Sequence, residues 1–227
     1  MPLAQLGVGY RPRLQRLLAS FELSLPDEMA FFRRAETYLD RVAEWTDRID
    51  LTAARDEDEL VDLLFADAAA MAASGALRAG DDWLDIGSGV GAPGLALALF
   101  EPGLVMKLVE PRAKRVAFLR PLVASFDGLK IEVVRKRSEE LPGACATAAV
   151  SRATFPPPEW LEEGARLARE QVWVLLAREE PPKLEGLFVT NDLRFDWPLT
   201  SRARRAVAYG VASPRQDGKI APEGEMA

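Results

Sequence analysis

Histidine is absent from all 227 residues, cysteine occurs once at Cys145, and no apolar run approaches the roughly 18 residues needed to cross a bilayer. Each absence removes a class of function. Without imidazole there is no histidine-based acid–base arrangement and none of the usual zinc sites. A single thiol excludes an intrachain disulfide, and the small residues around Cys145 read as packing rather than as the setting of a nucleophile. The first residues, Met-Pro-Leu-Ala-Gln, lack the charged-then-apolar pattern of an export signal, so the expected location is cytoplasmic. Four carboxylates in a row, Asp56-Glu57-Asp58-Glu59, are read as the first turn of a helix, where the macrodipole favours them, rather than as a metal site. No metal is expected.

What is present begins at residues 82–94, a short apolar strand running into Gly87, Gly89, Gly91 and Gly94. Glycines admit positive φ and let the backbone approach a ligand without a Cβ in the way. Glu110 closes the next apolar run, nineteen residues beyond Gly91, where an acid accepts hydrogen bonds from ribose hydroxyls. A nucleoside is therefore expected. The spacing Gly89-x-Gly91-x-x-Gly94 also matches the dinucleotide fingerprint, but there the first glycine follows its strand almost at once, and here Asp85-Ile-Gly87-Ser88 intervenes. Asp-x-Gly-x-Gly-x-Gly suits S-adenosylmethionine, whose ammonium Asp85 pairs directly or through water. A dinucleotide and a purely structural turn stand as the other readings.

Along the chain, residues 13–21 and 27–45 carry apolar side chains at helical spacing, and a third helix is expected from the acidic cluster to about residue 77. From residue 82 short apolar runs alternate with amphipathic stretches, the signature of a doubly wound parallel sheet of Rossmann-like α/β class with an N-terminal helical extension. Residues 1–80 form that extension and 81–212 the main domain. Two last strands, near 186–195 and 204–209, have no helix between them and should pair antiparallel at one edge. The polar stretch 213–227, rich in glycine and proline, reads as a disordered tail.

Net charge is −6, yet charge is unevenly spread. Residues 22–67 hold 14 acidic and 5 basic side chains, whereas 107–137 hold 9 basic and 3 acidic. The second sector can either meet phosphates or simply solvate a helix face.

Ligands of such sheets bind at the carboxyl ends of the strands. There Ser138 and Glu139 follow the third strand, placed to recognise adenine, and Arg152 follows the fourth, facing the reacting methyl. The run Phe155-Pro-Pro-Pro-Glu159 lacks the Asn or Asp acceptor that amine methylation requires, so it reads as a stiff entry into a helix. Guanine N7 carries an in-plane lone pair that is free at neutral pH, so methylating it needs alignment and a donor for the base edge, and no general base. The fork of Arg152 fits that edge.

Several of these pieces together resemble the bacterial small-subunit rRNA guanine-N7 methyltransferases, also called the glucose-inhibited-division protein B family. They are Trp45-Thr-Asp-Arg-Ile-Asp-Leu-Thr52, Asp85-Ile-Gly-Ser-Gly-Val-Gly-Ala-Pro-Gly94, Glu110-Pro-Arg-Ala-Lys-Arg-Val-Ala-Phe-Leu119, Arg137-Ser-Glu-Glu140 and Val150-Ser-Arg-Ala153. The resemblance implies a class I S-adenosylmethionine-dependent fold, cofactor contacts at Gly87, Ala92, Ser138, Glu139 and Arg152, and Lys114 and Arg115 near the RNA or the site. It departs in three places. Leu64-Phe-Ala-Asp67-Ala68 stands for His-x-x-Asp-Ser, Ala177-Arg178-Glu179 for Leu-Lys-Gly, and Asp50-Leu-Thr for Asn-Leu-Thr. Arg178 then replaces the lysine as a substrate contact. The expected partner is small-subunit rRNA or the assembling subunit, met by a monomer; a paralogue acting on a small molecule or another RNA, and a non-catalytic nucleoside-binding protein, are the competing readings.

Overall fold

The computed structural model describes residues 9–46, 48–49 and 51–211; the expected tail at 213–227 lies outside the described residues. The N-terminal part comprises α1 (Tyr10–Ser20), α2 (Glu28–Thr46), α3 (Glu57–Val61), a π-helical turn (Asp62–Ala66) and α4 (Asp67–Ala73). The rest alternates β1 (Asp82–Ile86), α5 (Gly94–Phe100), β2 (Val105–Val109), α6 (Ala113–Ala124), β3 (Lys130–Val134), a 3-10 turn (Ser138–Glu140), β4 (Ala146–Ser151), α7 (Pro157–Leu167) and β5 (Ala168–Leu176). It closes with β6 (Leu187–Asp196) and β7 (Ala203–Val211).

Phe31, Phe32, Ala35, Tyr38, Leu39 and Val42 recur at three-to-four spacing and are all buried, which explains why α2 packs against α1, α5 and α6. Asp56 caps α3, its carboxylate accepting from Glu59 N at 2.8 Å, and Glu59 returns by accepting from Arg55 N. The acidic cluster is thus a helix start, as the sequence indicated. The helix expected to continue to about residue 77 instead ends at Ala73, with Ser74 and the positive-φ Gly75 closing it. It is also interrupted by the π turn.

The seven strands lie in the order β3-β2-β1-β4-β5-β7-β6, the first five parallel and the last two joined antiparallel. β7 inserts between β5 and β6. One face of the sheet carries a large core shared with α1, α2, α4, α5 and α6; the other carries a smaller one under α7, around Trp160, Leu161, Val172 and Tyr209. The N-terminal helices therefore share the sheet's own core. Cys145 is half-buried and packs beside the smaller one.

Candidate active site

Three of the glycines do different work. Gly87 has φ +70 and sits so close to Thr154 that a Cβ would lie 2.1 Å from Oγ1. Gly89 has φ +57, donates its N–H to Glu110 Oε2 at 2.9 Å and faces Arg115. Gly91, at φ +104, turns toward Tyr38 and Leu119 and so serves packing. Tyr38 hydroxyl donates to Val90 carbonyl at 3.1 Å, holding the loop against α2.

This loop forms the wall of a cavity of about 380 Å³ lined by Leu51, Thr52, Gly87, Ser88, Gly89, Ala92, Glu110, Arg112, Arg115 and Arg152, among others. Glu110 is buried, and its Oε1 accepts from Arg112 N at 2.8 Å. Each carboxylate oxygen keeps a second lone pair, so a hydroxyl can still donate to it. Arg115 Nη1 stands 3.7 Å from Oε2.

A second cavity, of about 320 Å³, lies alongside; Asp67, Phe155, Glu179, Trp197 and Arg204 help to line it. Leu63, Arg152 and Ala153 line both cavities and form their shared border. The border has a structural cause. Arg152 Nη1 donates to Leu63 carbonyl, within the π turn, and stands 3.4 Å from Asp67 Oδ2. Ala153 beside it takes φ +55, a left-handed conformation that costs a non-glycine residue on the order of 1 kcal/mol. Asp67 is buried and also accepts from Trp197 Nε1 at 2.8 Å, so one carboxylate joins the start of α4, the β4 end and the β6–β7 turn. Neighbouring Asp62 accepts from Leu199 N, Thr200 N and Thr200 Oγ1, clamping the same turn; burial nevertheless pushes its carboxyl above the ordinary range.

Several expected site residues fall elsewhere. Asp85 is wholly buried beneath the loop and outside the cavity lining; its Oδ2 accepts from Gly94 N at 2.9 Å at the start of α5, while Oδ1 has no partner among the described residues. Gly94 permits this, since a Cβ there would lie 2.6 Å from Asp85 Cβ. Ser138 and Glu139 do not line the cavity: Ser138 is buried with its hydroxyl on Glu139 and its carbonyl taken by Arg166, and Glu139 is exposed. Lys114 and Arg115 part company, because successive helical residues point in different directions; Lys114 is exposed on α6 and Arg115 enters the cavity. Arg178 is exposed and lines neither cavity, since β5 has ended and the chain has turned outward. Sequence reasoning missed Leu63, Trp197 and Arg204; the aspartate retained at 67 was the only signal near them.

Burial pushes Asp85 up to about 7, the Gly94 hydrogen bond and Arg152 only partly offsetting it. Folding then retains a proton that the unfolded chain releases near pH 4, so stability present at low pH is lost as pH rises through 7. In ligand-free protein this contribution should fall by on the order of 1 kcal/mol per pH unit across that window. Thermal melts of wild type and Asp85→Asn between pH 4 and 8 check it: the gap between the two should change with pH in favour of the variant. Parallel curves would overturn the assignment.

Comparisons with known proteins show the family to which the chain belongs. The family described as rRNA small subunit methyltransferase G matches residues 32–187. A ribosomal RNA small subunit methyltransferase G from Anaeromyxobacter sp. (strain Fw109-5) is 31% identical over 213 residues, 88% of this chain and 96% of that protein. Another from Pseudomonas aeruginosa (strain LESB58) is 34% identical over 165 residues, covering 72% and 76% of the two chains. A crystal structure of a SAM-dependent methyltransferase from Aquifex aeolicus superposes with TM-score 0.50 at 16% identity, over 67% of this chain and 92% of that one, a likeness of fold. With a match across more than two thirds of its length, this chain belongs to the rRNA small subunit methyltransferase G family.

Proposed function

We propose that the chain transfers a methyl group from S-adenosylmethionine to N7 of a guanine in small-subunit rRNA. The observation that carries this reading is the shared border at Arg152: the glycine-loop cavity opens on one side of it and a second, partly aromatic cavity on the other. The residues present fit the cofactor. Gly87 and Gly89 allow close backbone approach, Glu110 offers lone pairs to ribose hydroxyls, and the orphaned Asp85 Oδ1 is a buried acceptor below the loop. Dinucleotides are disfavoured by the same layout, because the helix after the loop begins only at Gly94, where Asp85 already takes its first N–H.

When bound, S-adenosylmethionine supplies an electrophilic methyl on a sulfonium. That methyl would pass to guanine N7, the N7–carbon bond replacing the carbon–sulfur bond, whose electron pair would stay on sulfur. Positive charge passes to the imidazole ring of the base, and no proton moves. A site without histidine is therefore sufficient. Arg152, held by Leu63 carbonyl and Asp67, orients the base edge as a donor. The exposed side chains of Arg112, Lys114, Arg120, Arg135, Lys136 and Arg137 give an otherwise acidic protein a local positive face for phosphates.

Substrate recognition takes place on the assembled or partly assembled small subunit, by a monomer acting in the cytoplasm. Small subunits from a strain lacking the gene test this directly. Mass mapping should find one guanosine that gains N7-methylation on adding protein and S-adenosylmethionine, with kcat nearly flat from pH 6 to 9. A bell-shaped profile centred near neutrality would indicate a titrating catalyst and remove N7 as the nucleophile.

A further inference from the structure

Arg204 is half-buried in the wall of the second cavity, its guanidinium 3.9 Å from the centre of the Trp197 ring. Its one hydrogen bond is from Nη1 to the neighbouring Ala203 carbonyl, and no carboxylate among the described residues lies within ion-pair distance. Among the described residues Nε and Nη2 have no acceptor, on a side chain fixed by stacking. Burial lowers its pKa; Arg202 and Arg152 add to this, and the more distant carboxylates of Asp67 and Glu179 offset it in part. Glu179 lines the same cavity. Its Oε2 accepts from Ala177 N and Arg178 N at 2.8 and 3.0 Å, which fixes the carboxylate and leaves Oε1 without a partner among the described residues. The lining thus presents both a donor fork and an acceptor, with Phe155 and Leu175 also bordering the space.

We propose that this cavity receives the target base flipped out of the RNA, with Arg204 donating to guanine O6 and Glu179 accepting from N1–H and the 2-amino group. Adenine reverses both signs: it offers a donor where Arg204 donates and an acceptor where Glu179 accepts. Base choice then resides in these two side chains, and Arg152 at the border is left to align N7 with the cofactor cavity. The inference rests on the function proposed above, and extends it from the reaction to the groups that select the base.

Steady-state methylation of small subunits lacking the modification tests the pair. Arg204→Gln and Glu179→Gln should each lower kcat by roughly 10- to 100-fold, since each removes one half of a base-edge pairing. The KM for subunits and the affinity for S-adenosylhomocysteine should stay within about twofold, because the cofactor cavity and phosphate contacts are untouched. Arg204→Lys, which keeps charge but loses the fork, should recover only part of the rate. A raised KM with a shallower salt dependence and unchanged kcat would make Arg204 a phosphate contact and overturn the proposal, as would wild-type kcat in both glutamine variants. Glu179 is exposed, so its variant reports even if the arginine variants fold poorly. Absence of N7-methylguanosine with the wild-type protein would instead refute the parent reading.

Discussion

Substituting valine for Gly89 should abolish cofactor binding while leaving the chain folded. A Cβ at this position would lie 3.5 Å from Arg115 Nη1, which is ordinary contact, so simple overlap is not the cause. The cause is the backbone. At φ +57 a β-branched residue is strained by roughly 1–2 kcal/mol or more, and relief requires the loop to turn. That movement breaks the N–H contact to Glu110 and swings the isopropyl group toward the cavity whose wall Gly89 forms. Affinity for S-adenosylhomocysteine, read by calorimetry, should drop by two orders of magnitude or more, with a melting temperature within a few degrees of wild type. Unchanged affinity would place the cofactor somewhere other than the glycine loop.

Removing the Asp67 carboxylate should cost both stability and rate. In Asp67→Ala the Trp197 indole N–H loses its acceptor and Arg152 loses the one carboxylate paired with it among the described residues, both in buried or nearly buried surroundings. Breaking a buried pair from one side costs about 3–5 kcal/mol, and the Leu63 carbonyl still holding Arg152 places this case at about 3 kcal/mol. Asp67→Asn keeps an acceptor for Trp197 and should cost about half as much. Because Arg152 then keeps only the Leu63 carbonyl and loses its ionic partner, methyl transfer should fall on the order of 100-fold in the asparagine variant, although it folds. Urea unfolding and single-turnover rates check the two claims separately. A loss below 1 kcal/mol in the alanine variant would mean that Asp67 supports neither neighbour.

The loop glycines, the acid ending β2 and the antiparallel final pair were legible because each depends on local chain chemistry: positive φ, strand termini and the absence of a crossover helix. The second cavity was not. It depends on Asp67 meeting Trp197, 130 residues away, and on one extra residue in a helical turn, which leaves no mark on apolar spacing. Asp85 was expected beside the ligand and sits beneath the loop, since sequence cannot tell a carboxylate that lines a cavity from one that caps the helix beneath it. Ser138 and Glu139 were placed by their rank after β3, and rank alone does not fix which way a 3-10 turn points. Trp197 and Arg204 lie at the β6–β7 turn and the start of β7, in a segment with no motif of its own.

The place of β7 in the sheet also governs how the chain is assembled in time. β7 is the last described strand in sequence, yet it lies between β5 and β6, with Ala206, Val207 and Ala208 fully buried. Until it has left the translating ribosome, β5 presents a free, apolar edge and Trp197 cannot be clamped beside Asp67. The nascent chain therefore passes through an interval in which the cofactor loop can close but the sheet remains open to pairing with other strands. Chaperone dependence should be concentrated in that interval, and a nascent chain stalled before residue 203 should be the form most prone to aggregate.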